Sequence, residues 1–579
     1  MHTTHLKTKS ITMKSHHFFA FTMGLMLMIF AISPTALQSQ ELDHDPKAIA
    51  IDLIAKYDSA HIPGGAVMVI REGGIVFGES FGMANLAYEV PFEWSTPTNI
   101  GSTSKQFTAF ALLLLQEEGK LSLDDDIRDH IPELPDFGAQ VLLRHLIAHT
   151  SGYREYLNSI AMSGRFLTDN IRREEIIPLI QRQPSLQNTP GGVYNYNNTG
   201  YALLAKVIER VSGEDFPDWM KNHVFEPLGM HNTLVINNPG QLIRGKAQGY
   251  SVGPEHQVVA VPDIYASMGA GGIYSTMEDL KKWIAHFHQP VLGPPDIKEE
   301  MMKPYPLNNG EAGNYANGLI VGDLNGLQMV EHGGADAAHR SAFMMFPEIR
   351  GAVVVQSNNS RFPSQAMARQ LAEAFFADNM ELDPASKASL EEGDVFVYDV
   401  ELFDEIAGRY ELEVMPGFVM EFTREEDRLF AQATGQPRFE LFASSDSTFY
   451  PTVVEASITF HRNEEGEFDA MTLHQNGDHR GVRLTEPAWE PSSEELAEYL
   501  GRYFSEELET FYTLALDDEG NMVLRHRRFA DLPLRAESKD QYTGGFPIME
   551  LTFIRDEAGT LTGFKASSGR SFGIVFEKQ

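Results

Sequence analysis

Residues 104–118 carry Phe107, Phe110, Ala111 and Leu112, Leu113, Leu114 and Leu115, apolar on nearly every side of a 3.6-residue repeat, and Gly119 supplies a stop. A helix with no polar face must lie inside a layered fold, covered on all sides by other elements. That constraint makes the residues at its start informative. Gly101-Ser102-Thr103-Ser104-Lys105 puts a serine in the first turn, where unpaired N–H groups and the positive end of the dipole favour an alkoxide. The lysine three residues on returns to the same face. An N-cap serine beside a surface lysine would show the same letters, but this helix offers Lys105 no exposed face to occupy.

The surrounding pattern predicts the layers. Gly65 to Ile70 and Ile75 to Phe77 are apolar runs around Arg71-Glu72-Gly73-Gly74, a hairpin signal. Helical periodicity recurs over 200–211 and 275–286, and the β-rich run 351–355 precedes Asn358-Asn359. Together they predict an α/β (α+β) sandwich, an antiparallel sheet with helices, over residues 41–381. An acidic, Pro-containing linker is expected at 382–397. Beyond it short alternating strands predict two small all-β barrel-like domains, 398–487 and 488–579. They read as a duplication: Gly408-Arg409-Tyr410 returns as Gly501-Arg502-Tyr503, and the Ile458-Thr459-Phe460 strand as Leu551-Thr552-Phe553, both 93 positions on.

At the other end Lys7, Lys9 and Lys14 precede an apolar stretch over 18–32 and then Pro34. This pattern predicts a signal peptide over residues 1–40, because roughly 15 apolar residues fall short of the ~20 that a spanning helix needs. A periplasmic or secreted protein with no stable membrane anchor after cleavage is the expectation. Cysteine is absent, which excludes disulfides, thiol nucleophiles and Cys-ligated metals. Any covalent catalysis must therefore use oxygen or nitrogen. A net charge of −35 repels phosphate backbones, so nucleic acid is not an expected partner.

Two further motifs accompany the serine. Tyr-x-Asn occurs at Tyr156-Leu157-Asn158, Tyr196-Asn197-Asn198 and Tyr315-Ala316-Asn317. The middle one follows Pro190-Gly191-Gly192 and feeds an amphipathic helix, which holds a polar pair at a rigid edge; the other two read as structural. His332-Gly333-Gly334 enters a predicted strand at 341–346, and glycines there let a substrate backbone approach and leave an N–H free for an oxyanion. His479-Arg480-Gly481 has similar letters but lies in the β repeats.

These motifs, in this order, resemble those of the serine β-lactamase and penicillin-binding-protein-like hydrolases, in the branch with class C enzymes, D-aminopeptidases and esterases. Arg144-His145-Leu146-Ile147-Ala148-His149-Thr150-Ser151-Gly152, Pro227-Leu228-Gly229-Met230 and Gly271-Gly272-Ile273 stand in the family's order as well. The His145/His149 pair falls inside that loop motif, so no metal is expected there. The resemblance implies Ser102 as acylated nucleophile, Lys105 as its activator, Tyr196 as proton shuttle, and Asn198 as partner of Lys105 or of the substrate. It implies an oxyanion hole at the N–H groups of Ser102 and Ala335, substrate contacts at Gly333 and Gly334, and no cofactor. It implies His332 as a further catalytic-site residue, at a position where many β-lactamases have a lysine, which departs from lactam-carboxylate recognition. His339 and Arg340 are candidates to meet an anionic substrate end. The β domains resemble lipocalin-like barrels, with capping, ligand binding or homo-oligomerisation open to them, and the hydrolase part is expected to keep its site without them. Three functions stay open: an exported hydrolase of a peptide, amide or ester; a true β-lactamase or D,D-carboxypeptidase; and a catalytically silent binding protein.

Overall fold

In the computed structural model, β1 (Gly65–Arg71) and β2 (Gly74–Phe81) form the predicted hairpin, turning through Glu72 and Gly73 with φ of 52° and 80°. The described residues are 45–381 and 398–579, apart from short loop stretches within both. The signal-peptide and linker expectations, 1–40 and 382–397, lie outside them. Four later strands, β3 (Ile320–Leu324), β4 (Leu327–Asp336), β5 (His339–Phe346) and β6 (Gly351–Ser357), join the hairpin in one antiparallel sheet ordered β3-β4-β5-β6-β1-β2. Long-range pairing of β1 with β6 closes it, Val67 opposite Val355.

The alternation of side chains along β1 assigns its two faces to two cores. Val67 and Val69 pack with Ala50 and Ile54 of α1 (Pro46–Ala55) and with the helix Ser364–Phe376. Ala66, Met68 and Ile70 point the other way, into the larger core around α2 (Lys105–Glu117). Every residue of α2 from Lys105 to Leu115 is buried, as its apolar pattern predicts, and burying each of Phe107, Phe110, Leu112 and Leu115 contributes about 1.5–3 kcal/mol. The helix is preceded by a 3₁₀ turn, Gly101–Ser104, so Ser102 stands just outside the α-helix proper. The other predicted helices form as α3 (Asn198–Ser212), which packs on α2, and α4 (Met277–His288).

The first β domain is a closed barrel of eight antiparallel strands from Gly408 to Arg483. The second is a nine-stranded sheet whose two outermost strands, Leu532–Pro533 and Arg535–Ser538, are consecutive in the chain, so the sheet curls almost shut around Leu534. In the first, Tyr410 Oη donates to Ile406 O at 2.8 Å and Arg462 Nη2 to Glu405 Oε2 at 2.8 Å. In the second, Tyr503 Oη donates to Tyr499 O at 2.6 Å and Arg555 Nη2 to Glu498 Oε2 at 2.9 Å, the same circuit 93 residues on.

The second β domain is seated on the hydrolase part. Arg154 Nε donates to Glu507 Oε1 at 2.6 Å, with the two side chains only 5% and 7% exposed, and Arg154 Nη1 donates to Phe572 O at 2.6 Å. Ser571 Oγ donates to Glu155 O at 2.8 Å, and Arg528 forks onto Asp169 at 2.6 and 3.0 Å. Removing one partner of such a buried ion pair would leave the other charge uncompensated, at a cost of about 3–5 kcal/mol. These contacts join the second β domain to the hydrolase part directly. They involve charged residues far apart in sequence, for which no local pattern exists.

Candidate active site

Two backbone features bring the three motifs together. Gly101 has φ of 53°, and a Cβ there would come within 2.6 Å of Ala335 N; a Cβ on Gly334 would lie 2.1 Å from Ile100 O. Only glycine at both positions lets the serine turn dock against β4. Strand β3 pairs with β4 only from Leu327 to Glu331, so from His332 onward β4 has a free edge facing that turn. Ala335 stands opposite Arg340, one pair in from the two-residue hairpin between Asp336 and His339. Antiparallel alternation then directs the Ala335 N–H away from β5 toward the free edge, beside Ser102.

Lys105 is fully buried, and its Nζ lies 3.2 Å from Ser102 Oγ, 2.8 Å from Asn198 Oδ1 and 2.8 Å from Ala270 O. The amide and backbone oxygens can only accept, so two N–H groups go to them and the third direction faces the serine hydroxyl. Burial drives the Lys105 ammonium well below its ordinary pKa; Glu155 opposes that and Arg570 adds to it. A neutral amine in this position presents its lone pair to Ser102.

Asn198 is held in the required orientation. Glu155, itself buried, accepts from Asn198 N at 2.5 Å and from Asn198 Nδ2 at 3.2 Å, which turns Oδ1 toward Lys105. Tyr196 lies on the loop before α3, and its ring centroid is 4.7 Å from Lys105 Nζ. Its hydroxyl is buried and faces the Ser102 hydroxyl without a well-formed hydrogen bond. Burial raises the phenol well above its ordinary pKa, while the Ser102 hydroxyl pulls in the other direction, so Tyr196 is a protonated donor and not a tyrosinate.

The His149 loop supports Tyr196 from below. His149 has φ of 59°; its Nδ1 accepts from Asn197 N at 3.0 Å, its carbonyl from Asn195 N at 2.8 Å, and its ring lies 4.2 Å from that of Tyr196. The His145/His149 motif thus anchors the loop that carries Tyr196.

His332 is a neutral imidazole of defined tautomer. Its Nδ1 is 2.6 Å from Gly333 O, a carbonyl that can only accept, so Nδ1 carries the proton and Nε2 accepts from Tyr315 Oη at 2.9 Å. Burial lowers its pKa to about 3, with Lys105 adding to the effect. Tyr315, which the sequence reads as structural, is therefore a wall of the site. Tyr315→Phe should leave the Nε2 acceptor unsatisfied, destabilise the fold by about 1–3 kcal/mol, and lower kcat/KM by less than about tenfold. Denaturant titration and steady-state rates check this, and a kinetic loss of 10² or more would make Tyr315 part of the chemistry.

Other expectations are redistributed. Tyr156 and Asn158 lie on the helix Tyr156–Met162, where Tyr156 N donates to Thr199 Oγ1 at 2.9 Å. Asn317 Nδ2 donates to Glu300 O at 2.7 Å, so neither outlying Tyr-x-Asn offers its amide to Lys105. His339 and Arg340, the residues expected to meet an anionic substrate end, both have contacts within the protein. His339 is 1% exposed, with Nε2 3.3 Å from Asp263 Oδ1, while Lys246 Nζ donates to Asp263 Oδ2 at 2.7 Å. Burial alone would raise the Asp263 pKa, but His339, Lys246 and Tyr274 hold it below the usual carboxylate range. Arg340 Nη1 donates to the carbonyls of Ala337 and His339 at 3.2 and 2.8 Å. Residues at the start of a strand read as solvent-facing in one dimension; here His339 turns inward against Asp263, while Arg340 stays half-buried.

The sequence reading missed Glu155, Tyr315 and Arg570. Glu155 follows three residues after the Gly152 that ends the loop motif, a proximity that was available as a signal. Arg570 is more than 370 residues from Tyr196 and had none.

The family model described as Beta-lactamase matches residues 50–376, and a second, described as a domain of unknown function (DUF3471), matches 400–485. Penicillin-binding protein 4* of Bacillus subtilis (strain 168) is 26% identical over 440 residues, 73% of this chain and 95% of that protein. The D-aminopeptidase of Gluconobacter oxydans (strain 621H) is 27% identical over 313 residues, 54% of this chain and 59% of its own length. The octameric penicillin-binding protein homologue from Pyrococcus abyssi shares the fold, with a TM-score of 0.53 at 24% identity over 75% of this chain and 99% of that one. The match over more than half of the chain agrees with the helix-covered antiparallel sheet, and the chain belongs to the β-lactamase and penicillin-binding-protein-like family of serine hydrolases.

Proposed function

We propose that this protein hydrolyses a peptide, amide or ester through an acyl-enzyme on Ser102. The observation that carries the reading is the buried, three-point setting of Lys105 Nζ against Ser102 Oγ, Asn198 Oδ1 and Ala270 O. Ser102 Oγ attacks the substrate carbonyl carbon as its proton passes to Lys105 Nζ. The oxyanion that forms accepts from the N–H groups of Ser102 and Ala335. Tyr196 Oη, free of other partners, hands a proton to the departing nitrogen or oxygen as the C–N or C–O bond breaks, and is reprotonated from Lys105. Water then attacks the Ser102 ester as one of its protons passes to Lys105 Nζ, and that proton is delivered to Ser102 Oγ as the C–O bond to the acid breaks. Gly333 and Gly334 line the edge along which the substrate backbone lies.

The relative named D-aminopeptidase supports an amide substrate of this kind. Export after cleavage near residue 40 belongs to the same reading and rests on the 1–40 pattern; among the described residues no helix is long and apolar enough to cross a membrane. Assembly of several copies has support in the octameric homologue.

A fluorophosphonate tests the nucleophile. The purified protein should gain one adduct by intact mass, mapped to the peptide containing Ser102. An adduct elsewhere, or none with any acyl donor, would return the chain to the silent binding protein.

A further inference from the structure

The site holds two basic side chains, the amine of Lys105 and the guanidinium of Arg570, and the chemistry above uses only the first. Arg570 sits in the Gly569-Arg570 turn between the last two strands of the second β domain, Leu561–Ser568 and Ser571–Lys578. The backbone of that turn is pinned to the hydrolase: Gln187 Nε2 and Asn195 Nδ2 donate to Arg570 O at 3.0 and 3.2 Å, and Phe572 N donates to Gln187 Oε1 at 3.1 Å. The side chain then extends over Tyr196, its guanidinium carbon 5.0 Å from the ring centroid. Lys105 Nζ lies over the same ring.

What distinguishes Arg570 is that its five donors meet no hydrogen-bond acceptor and no carboxylate among the described residues, although it is half-buried. Other arginines of the hydrolase and of the second β domain are engaged: Arg154 with Glu507, Arg165 with Glu175, Arg173 with Glu209 and Arg528 with Asp169. In a chain with net charge −35 an arginine left unpaired beside a nucleophile is the exception. A guanidinium fork held on a rigid turn suits a carboxylate, which it takes in two parallel hydrogen bonds. Its place over Tyr196 puts it on the side where the leaving group departs.

We propose that Arg570, supplied by the second β domain, binds the carboxylate of the substrate's leaving fragment, so that the scissile bond is followed by a residue with a free C terminus. This rests on the Ser102 and Tyr196 reading above. The β domain is then part of the binding site, in contrast to the expectation that the hydrolase part suffices alone. The carbon skeleton of the leaving fragment is met by Tyr196 and by Tyr194, whose phenol burial pushes up to about 12 and so keeps uncharged.

The test uses the full chain and paired N-acetyl dipeptides, in L and D forms, with a free or an amidated C terminus. The wild type should favour the free acid by tenfold or more in kcat/KM. Arg570→Gln should reduce that ratio at least tenfold, mostly through KM for the acid, and Arg570→Lys should restore part of it. A wild type that prefers the amide overturns the proposal, as does an unchanged ratio in Arg570→Gln that still forms the fluorophosphonate adduct at Ser102. If Arg570→Gln does not fold, the wild-type ratio and the Arg570→Lys ratio decide. Failure of the wild type itself to form the adduct would instead remove the hydrolase reading on which the proposal stands.

Discussion

Replacing Lys105 by methionine is expected to lower kcat/KM on the order of 10³-fold while the protein stays folded. The magnitude is that of losing a positioned general base, and the whole of it falls on acylation because Nζ faces the Ser102 hydroxyl at 3.2 Å. Survival of the fold follows from opposing terms. Methionine fills the same length without an amine to desolvate, but it leaves Asn198 Oδ1 and Ala270 O without their donor at about 1 kcal/mol each. The pH dependence supplies an independent check. A base must be deprotonated, so kcat/KM should fall as pH drops through the pKa of Lys105, and burial places that limb well below the ordinary lysine value of 10.5. The residual activity of Lys105→Met should lack the limb. An acid limb identical in both proteins would assign it to another group and remove Lys105 as the base.

Tyr196→Phe should cut kcat by about 10²-fold and leave the melting temperature unchanged or slightly higher. The two halves of this expectation have one cause. In the resting site the Tyr196 hydroxyl is buried with no well-formed hydrogen bond and only the Ser102 hydroxyl within reach, so removing it costs little stability, and its value appears when a leaving group arrives to accept its proton. Tyr315 is the opposite case, a tyrosine whose hydroxyl is committed to His332 Nε2 and whose loss registers in stability. Measuring turnover and melting for both variants separates them. Full turnover in Tyr196→Phe, or a stability loss like that of Tyr315→Phe, would end its assignment as the shuttle.

The sequence by itself determined what depends on local chemistry. The apolar stretch that became α2 predicted a buried helix because no side of it tolerates water, and that alone implied a buried Lys105. The Glu72-Gly73 turn, the amphipathic α3 after Asn197 and the alternating strands beyond 400 were legible for the same reason: turns and periodicity are properties of neighbouring residues. Only the tertiary structure decided which polar groups meet across distance. Glu155 reaches Asn198 because the Tyr156–Met162 helix packs on α3, His339 turns inward because Asp263 covers it, and Tyr315 joins His332 across the edge of the sheet. Arg570 arrives over Tyr196 from the last hairpin of the chain, through a docking contact that includes the buried Arg154–Glu507 pair, the Arg528–Asp169 pair and side-chain bonds to carbonyls. Such contacts have no periodicity and no fixed spacing; their partners are chosen by the packing of whole elements, which is why they are absent from any one-dimensional reading.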